Sequence, residues 1–261
     1  MKCFKLVLTI FILSICTQSR GQSNQVNTAP TLEDNFPKRI GGLRFSETTL
    51  HLGTILNNAE ITDTIKVYNN SEGPISLSIS NKLPDYLKLD IQPAKVESNA
   101  QALIIVSYSA SLRKEFGFVL DRIMLNTNDR EQPEKNLNIT ATMKEYFPPN
   151  ASSDSLLPAK VRIAESSFNF GKIQQGEKAV HDYVFFNDGQ HDLLIHHSKT
   201  NCGCVRSEFS KQLISPGDSA FVSLEFDSFG KEGDISNEVT IFVNDPVKPE
   251  IKLTIQGAVW K

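Results

Sequence analysis

The sequence predicts an all-β chain of two tandem antiparallel β-sandwiches joined by a Pro/Ser-rich linker. An internal repeat, a period-2 alternation of apolar residues in short segments, and a polar stretch between the copies predict it. Residues 45–53 read FSETTLHLG and residues 163–171 read IAESSFNFG. A shift of 118 aligns Glu47 with Glu165, Gly53 with Gly171 and Ile55 with Ile173, and carries Val67-Tyr68-Asn69-Asn70 onto Phe185-Phe186-Asn187-Asp188. Later, a shift of 116 places Asn128-Asp129, Pro133-Glu134, Leu137 and Ile139 on Asn244-Asp245, Pro249-Glu250, Leu253 and Ile255. Matches recurring in order at nearly one spacing mark a duplicated structural unit.

Within each copy the segments have a strand's rhythm. SFNFGKI alternates Phe168, Phe170 and a later Ile173, and VHDYVFFNDG is rich in β-branched and aromatic residues before the turn signal Asn187-Asp188-Gly189. AFVSLEFDS carries Phe221, Val222, Leu224 and Phe226, and EIKLTIQG alternates Ile251, Leu253 and Ile255. TDTIKVYNN, ALIIVSYSA and RIMLNTND play the same parts in the first copy. Helical periodicity is missing from these segments, and short strands broken by frequent turn signals pack as two facing sheets. The copies occupy residues 40–145 and 159–261. Residues 146–158, with their Pro, Ser and Asn, form the linker, and the polar residues 22–39 are expected to be loose.

The N-terminus reads MKCFKLVLTIFILSICTQSRGQ. A basic start at Lys2 and Lys5, an apolar stretch from Phe4 to Ile15, and small residues Ser19 and Gly21 before Gln22 form the pattern of a secretory signal peptide over residues 1–21. The apolar run is shorter than the roughly 20 residues that span a bilayer, so the mature chain is expected to have no transmembrane span. Leu13-Ser14-Ile15-Cys16 approximates a lipid-attachment motif, with a bulky Ile15 where a small residue is preferred. A lipid anchor at Cys16 is the less favoured alternative. Removing the leader leaves 24 basic against 30 acidic residues, a formal charge of −6. No basic stripe is present, so nucleic acid is not an expected partner. Export, if the leader directs it, permits a disulfide.

The second copy resembles a known family. Phe168, Phe170 and Gly171 open its pattern, followed by Gly176-Glu177, His181, Phe185, Asn187 and Gly189. Cys202-Gly203-Cys204, Pro216-Gly217, Phe226-Asp227 and Asn244-Asp245 complete it. This run is similar to the bacterial domain-of-unknown-function family 1573. The resemblance implies an exported immunoglobulin-like sandwich and no agreed activity. The family commonly has Thr after the second Cys, where this chain has Val205. The first copy has no Cys-Gly-Cys, with Pro84 and Tyr86 in that region.

Cys202 and Cys204 are the candidate site. Residues two apart in a strand lie about 6.6 Å apart on one face, the outer edge of disulfide reach, and Gly203 can bring them closer. A local disulfide staple, a redox-active pair and a metal site are all compatible with this spacing. Nothing nearby in the sequence clearly lowers a thiol pKa: Lys199 and Arg206 are the only close cations, and a reactive thiolate wants such neighbours. Four of the five histidines fall between His181 and His197, and two imidazoles with two thiolates suit zinc or copper. Adjacent His196 and His197 in a strand face opposite ways, so at most one joins the cysteines easily. His181, at a strand start, has a structural role. GKIQQGEK lacks the Lys-Ser/Thr of a phosphate loop, and DSFGKEGDISNE places Phe229 and Lys231 where a calcium loop needs oxygen ligands. No catalytic constellation and no cofactor motif stands out. The expectation is a non-enzymatic exported binding or scaffolding protein of the bacterial envelope, partnered by a protein or envelope component. The alternative is an accessory thiol-disulfide or metal-handling protein using Cys202 and Cys204.

Overall fold

The structure, a computed structural model, describes residues 31–148 and 159–261. The leader, Cys16 and most of the linker lie outside the described residues. Each copy folds as two facing sheets. In the first copy one sheet has the order β1 (Lys38–Ile40), β2 (Leu43–Phe45), β4 (Glu60–Asn69), β8 (Gln101–Ser109), β6 (Leu87–Gln92). The facing sheet has the order β3 (Thr49–Leu56), β10 (Glu134–Lys144), β9 (Gly117–Thr127), β5 (Ile75–Ile79), β7 (Lys95–Val96). The second copy repeats this plan. One sheet is β11 (Val161–Ile163), β13 (Lys178–Asn187), β17 (Ser219–Asp227), β15 (Val205–Phe209). The other is β12 (Ser167–Gln174), β19 (Glu250–Trp260), β18 (Gly233–Val243), β14 (Leu193–Thr200), β16 (Leu213–Ile214).

Alternation in the sequence makes these layers. Along β8, Ala102, Ile104, Val106 and Tyr108 are buried, and along β17 Ala220, Val222, Leu224 and Phe226 are buried. Phe221, between two of these, points outward. Each buried Val, Leu, Ile or Phe among them stabilises the fold by about 1.5–3 kcal/mol. The buried residues form two separate cores, one per copy.

One pairing departs from the antiparallel expectation. β3 lies parallel to β10, and β12 lies parallel to β19. An even number of chain reversals separates the first long strand from the last, so the two run the same way when they meet at a sheet edge. Each first strand carries a bulge, between the partners of Thr140 and Thr142 in one copy and between Asn169 and Lys172 in the other. Gly53 and Gly171 sit in these bulges with φ of 70° and 73°, a conformation that favours glycine.

The expectation of a loose segment over residues 22–39 fails for its described part. Residues Leu32–Asn35 form a helical turn, α1, closed by a capping box between Thr31 and Asp34. Phe36 is buried against Tyr68, with ring centroids 5.6 Å apart, and Glu33 pairs with Arg44 at 2.9 Å. An apolar anchor and a cap hold a stretch whose polar composition alone reads as unfolded.

Candidate functional site

Cys202 and Cys204 sit where the chain crosses from one sheet to the other. β14 leaves β18 after Thr200, opposite Val239, and β15 begins at Val205, paired with Phe226 of β17. The turn between them closes with the Val205 N–H donating to the Cys202 carbonyl at 3.2 Å. The first copy makes the same turn from different residues: the Leu87 N–H donates to the Pro84 carbonyl at 3.0 Å. The next link also matches, since Ser109 N–H to Tyr86 O, at 2.8 Å, corresponds to Asp227 N–H to Cys204 O, at 2.9 Å. Pro84 and Tyr86 are therefore the counterparts of Cys202 and Cys204, and the turn forms without a disulfide.

The two cysteines form a disulfide, with Cα atoms 5.1 Å apart. The turn shortens the span below that of a regular strand; Gly203 holds no left-handed φ, and open space surrounds the position a side chain would take there. Cys204 packs against the second core, its N–H donates to Cys202 Sγ at 3.2 Å, and its sulfur lies 4.0 Å from Asn237 Oδ1. Asn237 is 9% exposed, and its Nδ2 is buried without a hydrogen-bond partner.

The expected neighbours of this pair are engaged elsewhere. Lys199 Nζ donates to the Phe118 carbonyl of the first copy at 2.6 Å and lies 3.9 Å from Glu115. Burial, with Arg113 nearby, lowers its pKa against the opposing charge of Glu115. Arg206 is exposed on β15, close to Glu208 and Glu225. His181 Nε2 meets Glu165 Oε1 at 2.8 Å, and its ring stacks on Phe168 at 4.0 Å between centroids. Tyr183, whose hydroxyl donates to the Thr254 carbonyl, has its pKa pushed up to about 12 by burial and then by Glu165.

His196 and His197 form the joint between the copies. The Phe116 N–H donates to His197 Nε2 at 2.7 Å, so in the neutral ring the proton sits on Nδ1. His196 Nε2 meets Glu145 Oε2 at 2.9 Å. The Phe116 ring lies 4.6 Å from the His196 ring and 6.1 Å from that of His197. The two rings were expected on opposite faces. A register shift on β14 between Ile195 and His197 brings both to Phe116. Phe116 and Phe242 are buried yet belong to neither core. At Gly117, with φ of 74°, a Cβ would stand 2.6 Å from Phe242 Cζ, so the close approach of the copies requires glycine. A cavity of about 210 Å³ beside the joint is lined by Phe116, Met143, Phe147, His196, Phe242 and Pro249.

Burial holds the His197 pKa below its usual 6.5; Lys199 and His196 act in the same sense, while the Ser198 carbonyl and Glu115 oppose it. Residue 242 pairs with His197 while Asn237 adjoins Cys204, and that separation along β18 is about 17 Å at 3.3 Å per residue. The weak metal set of His196, His197, Cys202 and Cys204 is therefore not brought together. Among the described residues no group of three His, Cys, Asp or Glu side chains is placed to hold a metal ion. Sequence reasoning missed Phe116, Glu145 and Asn237. Nothing in the local pattern marks them, because each acts through a contact made only by folding.

No curated protein matches the sequence. A solved protein of unknown function from Porphyromonas gingivalis W83 is 17% identical, with a TM-score of 0.57, and the match covers 84% of this chain and 100% of that one. At that identity the likeness shows a shared fold. The ASH / PapD-like domain of human CEP192 (PapD-like domain 7) is 16% identical, with a TM-score of 0.34, over 40% of this chain and 87% of that one. The resemblance carried by the second copy holds over its whole sandwich: residues 161–259 match the family described as Protein of unknown function (DUF1573).

Proposed function

We propose that this is a non-enzymatic binding or scaffolding protein, exported to the bacterial envelope, that presents its two sandwiches to a protein or envelope component. The joint carries this reading. Phe116, Glu145, His196, His197 and Phe242 fix one copy against the other, as a surface spanning both copies would need. Sheet surfaces and edges are common sites of protein recognition. The test compares full chains in envelope fractions by chemical cross-linking. Phe116→Ala should abolish a specific cross-linked complex that Cys202→Ser retains. A complex indifferent to Phe116→Ala, or turnover of a defined substrate that depends on a named side chain, would sink the proposal.

A second reading is thiol-disulfide exchange at Cys202 and Cys204. It is favoured by the partly buried disulfide beneath an open Gly203, in a turn the first copy closes without cysteine. The metal-handling form of that alternative loses its histidines to the joint.

A further inference from the structure

The two copies place a polar side chain at the same inward position of the same strand. Asp121 pairs with Ile139 on β9 and β10, and Asn237 pairs with Ile255 on β18 and β19. In the first copy Asp121 is fully used. It accepts from Tyr86 at 2.8 Å and from Arg113 at 2.6 Å, and Tyr108 lies at 3.5 Å. Tyr86 is the counterpart of Cys204, so the Tyr86–Asp121 hydrogen bond corresponds to the contact between Cys204 Sγ and Asn237. In the second copy that contact is incomplete. A disulfide sulfur has no proton to donate to Oδ1, and the Asn237 Nδ2 has no acceptor. A half-turn of the amide exchanges the two atoms and offers Nδ2 to the sulfur. A neutral disulfide sulfur is a weak acceptor, whereas a thiolate is a strong one.

We propose that Asn237 is a positioning residue that stabilises the Cys204 thiolate when the disulfide is opened by a protein dithiol. This rests on the exchange reading above. A thiolate of the partner attacks Cys202 Sγ, since Cys204 and not Cys202 packs against the second core. The S–S bond breaks, its electron pair goes to Cys204 Sγ, and Asn237 Nδ2–H donates to the new thiolate. The partner's second thiolate then attacks the partner sulfur of the mixed disulfide and releases Cys202 as a thiolate, which the Cys204 N–H already faces. Two electrons pass from the partner to this protein, the partner becomes a disulfide, and two protons complete the dithiol. The Asn237 interaction is stronger in the reduced state, so it favours reduction.

The full mature chain is equilibrated with reduced and oxidised dithiothreitol, and its free thiols are counted. The wild type should equilibrate under native conditions. Asn237→Asp, an isosteric change that removes the donor, should shift the equilibrium about tenfold toward the disulfide, a potential about 30 mV more negative. Asn237→Ser gives a second variant with a smaller side chain, expected to shift in the same direction. With glutathione, Cys204→Ser should hold a mixed disulfide at Cys202. A wild type that resists excess dithiothreitol overturns the exchange reading and this proposal together. A wild type that exchanges while both Asn237 variants keep its potential overturns the role of Asn237 alone.

Discussion

Asn69 and Asn187 show how a repeated residue fixes a repeated fold. Asn69 Nδ2 donates to the carbonyls of Gly73 and Val96, and Asn187 Nδ2 donates to those of His191 and Ile214. Each thereby ties the turn after a long strand to the two-residue strand β7 or β16. Asn128 and Asn244 likewise accept from the N–H groups of Ser76 and Leu194. The motif was legible in the sequence because buried backbone groups need partners and the same turns need the same ones. Asp129 and Asp245 are a sharper case. Asp129 accepts from the Gly42 and Glu131 N–H groups and pairs with Lys135, which is fully buried where the second copy has Ile251. Burial opposes its charge, but Lys135 and the backbone donors outweigh that and hold its pKa below 3.8. Among the described residues Asp245 accepts only from backbone, at Val161, Val247 and Lys248. Asp129→Ala leaves a buried ammonium unpaired and should cost about 3–5 kcal/mol. Asp245→Ala loses hydrogen bonds alone and should cost about 1–3 kcal/mol. Denaturant unfolding of the two variants checks the order, and equal costs would contradict it.

Among the elements, β14 differs most from its counterpart. β5 has five residues and β14 has eight, and the extra length carries His196, His197 and Lys199 into the joint. Alternation predicted the strand but not its bulge, so it placed the two imidazoles on opposite faces. The bulge arises from how β14 meets β18, which no local pattern encodes. His197 makes the joint sensitive to acid. Its Nε2 must stay unprotonated to accept from Phe116, and its pKa is lowered in the docked state. Lys199, His196, Glu115 and Glu145 are the charged or titratable groups around it. Released from the joint, the ring returns to its ordinary value of 6.5 and takes up a proton more readily. Docking is therefore strongest above about pH 6.5 and weakens as pH falls below it, until the docked value is passed. The protection factor of the Phe116 amide, its exchange corrected for the intrinsic pH dependence, should fall on mild acidification in the wild type. His197→Gln keeps an acceptor without a proton site and should flatten that response; an unchanged pH slope in the variant would refute the mechanism.

At the scale of the whole molecule, the duplicated architecture was visible because alternation and turn residues repeat at almost constant spacing. The joint was not, since Phe116, Glu145 and Phe242 lie far apart in sequence and meet only after both sandwiches form. The parallel pairing of each first and last strand has a mechanical consequence. In the second copy the chain comes in beside the joint, along β12, and leaves along β19 at the far end. Tension between those ends drags β12 and β19 past each other in shear, so their hydrogen bonds share the load instead of opening one by one. β3 and β10 are arranged the same way in the first copy. Single-molecule stretching should therefore give two rupture events, each at a higher force than peeling the β18–β19 hairpin. Equal forces for pulling in line and for peeling would show that the edge pairing bears no load. A chain wired in this manner resists being pulled lengthwise.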